Sequence, residues 1–185
     1  MCALDPRSTA VIEELSGRYP RMRFHIVEGY IIPLLSELHE RNIDLAIGHV
    51  REPIADASLK LEVIFDDRLL VVAGTNNKWQ HRKKIKLYEL SNEPWIFPHI
   101  AGLAPSLIAD VFRASGIDAP KAIVSSNSGR LNNNLLASGR FLGMYPESMM
   151  RLGAKHMPFK ILPVEIPYRP TPVAHIAIKN RTLGL

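Results

Sequence analysis

The stretch Leu38–Val50, Leu-His-Glu-Arg-Asn-Ile-Asp-Leu-Ala-Ile-Gly-His-Val, restricts the fold more than any other part of this 185-residue chain. Ahead of it, Ile31, Leu34, Leu35 and Leu38 recur at one-turn spacing, which predicts a helix with one apolar stripe. Asn42 can take the left-handed conformation that commonly ends a helix. Ile43, Leu45, Ala46 and Ile47 then form an apolar run too short for a second helix, as expected of a strand covered on both faces. Asp44 interrupts the run and Gly48 lets the chain turn out of it. With a strand before the helix at Phe24–Glu28, the pattern reads as a right-handed β-α-β unit.

A chain of this length buries roughly two-thirds to three-quarters of its unfolded surface, enough for one domain or two small lobes. Hydrophobic residues make up 46% and charged residues 22%, the balance of an ordinary globular protein. The aliphatic stretch Leu69–Ala73 is far below the ~20 residues of a membrane span. Cys2 is the only cysteine, so no internal disulfide can form. The segment Met-Cys-Ala-Leu-Asp-Pro lacks the basic lead and apolar core of a secretory signal, so the expectation is a cytoplasmic protein.

The net charge of +5 permits an anionic ligand or nucleic acid without requiring either. Much of the excess lies in His81-Arg82-Lys83-Lys84-Ile85-Lys86, which reads either as a direct DNA contact or as a solvated loop. Trp79 is the one nearby ring for base stacking, and no helix-turn-helix can be read in the chain.

In chain order, Asp5-Pro6 opens a helix that Val11, Ile12, Leu15 and Tyr19 continue until Pro20. Arg21–Glu28 then reads as a strand. Leu59–Phe65 alternates as a half-buried strand, Asp66-Asp67 interrupts it, and Leu69–Ala73 resumes as a strand buried on both faces. Pro105 opens a helix with Leu107, Ile108, Val111 and Phe112 on its stripe and Gly116 as its stop. Ile123 and Val124 end a strand, and Leu131, Leu135 and Leu136 belong to a helix stopping at Gly139. Prolines at 158, 163, 167, 170 and 172 forbid a long helix, so Lys160–Ile166 and Val173–Ile178 are expected to be extended and to return to the first lobe.

Between Val124 and the helix stand Ser125, Ser126, Asn127 and Ser128. Hydroxyls, an amide and open backbone N–H groups at a helix start suit a carboxylate or another anion; one of these residues would equally serve as a plain helix cap. Catalytic patterns are sparse. The seven histidines are never closer than ten positions in sequence, so no local metal pair exists. No nucleophile elbow, nucleotide fingerprint or phosphate loop is present. Neither a metal nor a cofactor is expected.

Five segments together resemble the effector-binding domain of LysR-type transcriptional regulators. They are the Leu-x-x-x-x-Ile-Asp-Leu-Ala-Ile pattern ending at Ile47; Tyr-Pro-Arg-Met-Arg-Phe-His-Ile-Val-Glu-Gly at 19–29; the two-part run at 59–73; Tyr88–Leu90 with Glu93–Pro98; and Phe-Leu-Gly-Met-Tyr-Pro at 141–146. The resemblance covers nearly the whole chain. It implies an α/β fold of two Rossmann-like lobes joined by two crossover strands, the type 2 periplasmic-binding-protein plan. Lobe I would comprise 1–68 and 163–185, and lobe II 69–162. In the family a winged helix-turn-helix precedes this domain and a closing helix follows it, and neither is read here.

The resemblance further implies a small-molecule effector, with a carboxylate or polar head, held between the lobes. Its contacts would be Ser8, Thr9, Gly29, Tyr30 and His49 on one side, and Pro98, His99, Ser126, Asn127 and Ser128 on the other. His49 and His99 follow strand ends and are read either as ligand contacts or as capping histidines. Side-by-side pairing into a homodimer or tetramer is implied, with the Ile31–Leu38 helix and the Phe24–Val27 strand as candidate patches. DNA would be contacted only through the head domain, and no membrane is involved. Two other classes share the plan. One is an exported solute-binding protein. The other is a dehydratase of small carboxylates, for which Glu28 and His49 are the nominated acid–base pair.

Overall fold

The computed structural model describes residues 6–51, 53–98, 106–153 and 158–180. The chain divides into two compact units, one of 1–67 with 170–185 and one of 68–169.

The first unit opens with α1 (Pro6–Arg18), started by a proline where no intrahelical N–H is needed. Residues 22–30 follow without strand pairing, so the strand expected at Arg21–Glu28 is not formed and no β-α-β unit results. Phe24, Ile26 and Val27 are exposed instead. An apolar run becomes a strand only where a neighbour accepts its backbone bonds, and none does so among the described residues.

α2 (Ile31–His39) buries Leu34 and Leu38. Arg41, at φ 64°, takes the left-handed position expected of Asn42. The Arg41 N–H donates to Leu38 O at 3.2 Å and the Asn42 N–H to Glu37 O at 2.9 Å, the paired bonds of a Schellman ending. Asn42 is occupied otherwise, its amide donating to Glu37 Oε2 at 2.9 Å.

The sheet of this unit has three strands, β1 (Ala46–His49), β2 (Leu59–Asp67) and β10 (Thr171–Ile178), in the order β1-β10-β2 and all antiparallel. Its core is Leu34, Leu38, Ala46, Leu59, Ala174 and Ile176. These side chains lie on one face, under α2. β1 is therefore half-buried, not covered on both faces: Leu45 and Ile47 are exposed. In β2 the pairing skips Ile64, since Val63 faces Ala174 and Phe65 faces Val173. This bulge moves Phe65 to the face opposite Leu59, Leu61 and Val63, which breaks the alternation read from the sequence.

The second unit is built on a five-stranded sheet. Its strands are β3 (Leu69–Gly74), β5 (Trp95–Phe97), β6 (Val124–Ser125), β7 (Leu142–Pro146) and β8 (Phe159–Ile161), in the order β6-β5-β7-β3-β8. A parallel pair, β4 (Ile85–Lys86) and β9 (Val164–Glu165), stands apart from it. One face packs Val71, Trp95, Phe97, Val111, Phe112 and Leu142. Val111 and Phe112 come from α3 (Ser106–Ala114). Trp95 stacks on Phe97 with centroids 5.3 Å apart and meets Phe112 edge-on at 5.5 Å, the offsets aromatic rings prefer. The other face packs Val72, Ile96, Phe141, Met150, Phe159 and Leu136, the last from α4 (Gly129–Ala137). The short helix α5 (Glu147–Gly153) brings Met150.

Proline spacing alone puts the return to the first unit near 163. In the structure β8 pairs with β3, and Val164, Ile166 and Tyr168 pack on the second unit's core. The chain therefore stays in the second unit through Arg169.

Candidate functional site

In the second unit, β5 and β6 run parallel with Ile96 opposite Val124 and Phe97 opposite Ser125, so their carboxyl ends finish together. Beyond them, residues 126–128 turn into α4. The Ser126 N–H donates to Phe97 O at 3.0 Å, fastening the turn to the end of β5. Ser126 Oγ accepts from the Ser128 N–H at 3.1 Å, and Ser128 Oγ accepts from the Leu131 N–H at 3.3 Å. Ser128 is thus the N-cap of α4.

The cap leaves the N–H groups of Gly129 and Arg130, which a helix cannot satisfy internally. Ser125, Asn127, Ser128 and Gly129 are exposed around them and Ser126 is half-buried. The Arg130 side chain adds positive charge to the same first turn. Beneath the turn lies Asn132, only 7% exposed. Its amide nitrogen donates to Ser126 O at 3.0 Å, while its Oδ1 has no hydrogen-bond partner among the described residues. A buried acceptor left open costs about 1–3 kcal/mol, so such a group is expected to have a purpose.

In the first unit a second polar cluster sits at strand ends. His49 closes β1 opposite Val173, and Asp67 closes β2 opposite Thr171. His49 Nε2–H donates to Asp67 Oδ2 at 3.1 Å, and the Asp67 side chain is almost wholly buried. The nominated Glu28–His49 acid–base pair is therefore corrected: the carboxylate placed on His49 is Asp67, and Glu28 is exposed on the unpaired 22–30 segment. Asp67 escaped notice because it reads as an interruption between two strands.

Tyr30 is the N-cap of α2, extended at φ −83° and ψ 155°, with no side-chain cap bond. Pro33 has no N–H, so Ile31 and Ile32 carry the open donors of this helix start. Gly29 is half-buried beside it; a Cβ there would meet Leu34 at an ordinary 3.5 Å, so space alone does not demand glycine.

Ser8 and Thr9 fall inside the first turn of α1, with Thr9 exposed. Pro98 is half-buried immediately after β5. His99, Pro105 and Cys2 lie outside the described residues. The residue that sequence reasoning missed in the second unit is Asn132. Its signal is one helical turn from Leu136: a polar residue on the buried stripe of α4.

The basic segment supports the solvated-loop reading. Lys78 pairs with Glu93 at 2.7 Å, Arg82 with Glu89 at 3.1 Å and Lys84 with Glu165 at 3.0 Å. Lys78 and Arg82 also flank the Trp79 ring at 5.7 and 5.8 Å. Within the segment Arg82 and Lys84 are each matched with a carboxylate, which weakens the field they offer to phosphates. Among the described residues no group of His, Cys, Asp or Glu could hold a metal ion, and no helix is long and apolar enough to cross a membrane.

The LysR substrate binding domain profile matches residues 7–184. The chain is 26% identical over 177 residues to the transcriptional dual regulator GltC of Bacillus subtilis (strain 168), an alignment covering 94% of this chain and 57% of GltC. It spans just over half the length of the curated relatives it matches. Among solved structures, the effector binding domain of QuiR in complex with shikimate superimposes with a TM-score of 0.71 at 19% identity, covering 95% of this chain and 82% of that one. The BenM effector binding domain with its effector benzoate gives 0.69 at 20% identity, covering 97% and 79%. At such identities the structural likeness speaks for the fold. The profile match over nearly the whole chain speaks for descent, and this chain belongs to the LysR substrate-binding domain family.

Proposed function

We propose that this chain is the ligand-sensing part of a transcriptional regulator and that it recognises a small carboxylate at the start of α4. The observation that supports this most directly is the start of α4, where Gly129 and Arg130 carry N–H groups outside the helix ladder, ringed by Ser126, Asn127 and Ser128. The helix dipole favours negative charge at that point. The hydroxyls supply donors that rotate to suit the ligand, and the Oδ1 of Asn132, buried beneath the turn, would accept from a ligand hydroxyl only once the turn opens. Benzoate and shikimate, bound by structural relatives, are both carboxylates.

Gly29 and Tyr30, at the start of α2, and His49, at the end of β1, are proposed as further ligand contacts. Pro98, His99, Ser8 and Thr9 are proposed with them. In the full-length protein the effector would act on DNA binding to the extent that it prefers one state over another. The chain would work as a homodimer or tetramer, in the cytoplasm, without catalysis.

Replacing Ser128 separates capping from recognition, because Asp caps a helix as well as Ser does. Titration calorimetry against a panel of small carboxylates, benzoate and shikimate included, is the test. Ser128→Asp should keep the melting temperature and lose at least about ten-fold in affinity for any carboxylate the parent binds. Unchanged binding in that variant, or no binding by any member of the panel, removes the proposal.

A further inference from the structure

At one end of the first unit's sheet a buried carboxylate stands behind a partly open imidazole. His49 ends β1 opposite Val173, and Asp67 ends β2 opposite Thr171. Both strands flank β10, so the 3.1 Å bond from His49 Nε2 to Asp67 Oδ2 reaches across that strand. Val173 and Thr171, which it passes, are buried, and so is Asp67; water has little access to compete for the bond. The His49 side chain keeps 28% of its surface open, and among the described residues its ring has no second hydrogen-bond partner. The backbone ladders already join β1 and β2 to β10, so the sheet does not need this side-chain bond. A buried carboxylate is costly unless it is well partnered, which points to a use for the pair.

The bond decides what the free side of the ring can do. An ionised carboxylate only accepts, so the proton lies on Nε2. A neutral imidazole carries one N–H, and Nδ1 is left with its lone pair. The negative charge behind the ring disfavours a second anion at that nitrogen and favours a donor. We infer that Asp67 is a positioning residue that makes His49 the acceptor for a ligand hydroxyl, so that this corner of the first unit reads the donor end of a ligand and not its carboxylate. The inference rests on the reading of His49 as a ligand contact and adds to it a direction and a chemical class, hydroxylated acids over plain ones.

The tautomer and the ligand preference test it together. Long-range proton–nitrogen spectra of the histidine rings, with His49→Gln to assign the signal, should show His49 with Nε2 protonated and Nδ1 bare at about pH 8, where an unpaired imidazole is neutral. A ring protonated on Nδ1, or on both nitrogens, overturns the inference, and this result decides even if the next variant does not fold. Asp67→Asn keeps the shape and lets an amide donate to Nε2, which moves the ring proton to Nδ1. Titration calorimetry then compares shikimate, which carries hydroxyls, with benzoate, which has none. The parent should bind shikimate more tightly. Asp67→Asn should lower shikimate affinity at least about ten-fold and leave benzoate within about two-fold, a split that a merely structural role would not produce. Equal losses for both ligands, or no loss, overturn the inference and leave His49 as a contact. Binding of neither ligand by the parent, or His49→Gln without effect on either, removes the underlying reading as well.

Discussion

Gly74→Ala should unfold the second unit more easily, and the structure gives the size of the effect. A Cβ on Gly74 would overlap the Leu136 carbonyl oxygen and lie 2.8 Å from both N and Cα of Gly139. Neither neighbour can retreat cheaply. Leu136 is fully buried near the end of α4, and Gly139 is held at φ 77° with its carbonyl accepting from the Asn77 amide at 2.8 Å. Overpacking against backbone costs about 1–3 kcal/mol, and the upper end applies where every contact is main chain. Loss of glycine's freedom in the unfolded chain returns about 0.5 kcal/mol. The net is about 2.5 kcal/mol, or roughly 5–10 °C in melting temperature at this chain length. Both tryptophans, Trp79 and Trp95, belong to the second unit, so fluorescence during guanidinium denaturation reads that unit selectively. A midpoint equal to or above the parent's would refute the packing argument.

Four further outcomes are expected. Gly17→Ala, in α1 with nothing within 4 Å of the added methyl, should raise helix content and stability by about 0.5 kcal/mol, seen by circular dichroism; a loss would mean that α1 packs on something there. His39 donates from Nδ1 to Leu35 O at 2.6 Å and from Nε2 to Asp56 Oδ2 at 2.8 Å, so only the imidazolium makes both bonds. The Leu35 carbonyl, then Asp56, raises its pKa, while Ser58, then His39, lowers that of Asp56. The sign follows: the His39 contribution is complete below 6.5 and fades as pH rises through its higher folded value. The Asp56 contribution is complete above 3.8 and fades as pH falls through its lower one. Stability of the first unit should therefore decline on both sides, and His39→Ala should flatten the alkaline side in a pH series of melts. Burial pushes the Tyr145 phenol up to about 12, so one of the five tyrosines should ionise late in an ultraviolet titration, and Tyr145→Phe should remove that step. Asn132→Leu removes the orphaned acceptor together with the donor to the Ser126 carbonyl, so it should cost about 1 kcal/mol or more of stability; if Asn132 takes part in recognition it should also change the preference between hydroxylated and plain carboxylates, and an unchanged preference would exclude it.

The sequence made the second unit largely legible because its signals are local. The stripe of Val111 and Phe112 and the Gly139 stop each depend on residues within a turn or two and appear where periodicity puts them, and the run Ser125–Ser128 supplies a cap, at Ser128. The first unit was read less well because its strands need distant partners. Whether Phe24–Glu28 is a strand depends on what lies beside it, and the apolar alternation is the same either way. Ile47 illustrates the same limit: a short apolar run does not say how many faces a sheet has covered. The bulge at Ile64 shifts one residue of β2 without a glycine to announce it, and Phe65 changes face in consequence.

The candidate site divides along the same line. Ser126 and Ser128 were visible because a run of hydroxyls between a strand and a helix has few uses. What periodicity could not supply is the residue underneath. On the stripe that buries Leu136, position 132 should be apolar, and an asparagine there concedes hydrophobic burial while leaving an acceptor unpaired. A cap needs Ser128 alone, so capping cannot account for Asn132. Holding the Ser126 carbonyl accounts for its amide nitrogen and leaves the oxygen unexplained. We propose a ligand donor as the partner of that oxygen, which would favour carboxylates that also carry a hydroxyl; because the atom is closed off from solvent, the turn would have to open to admit it.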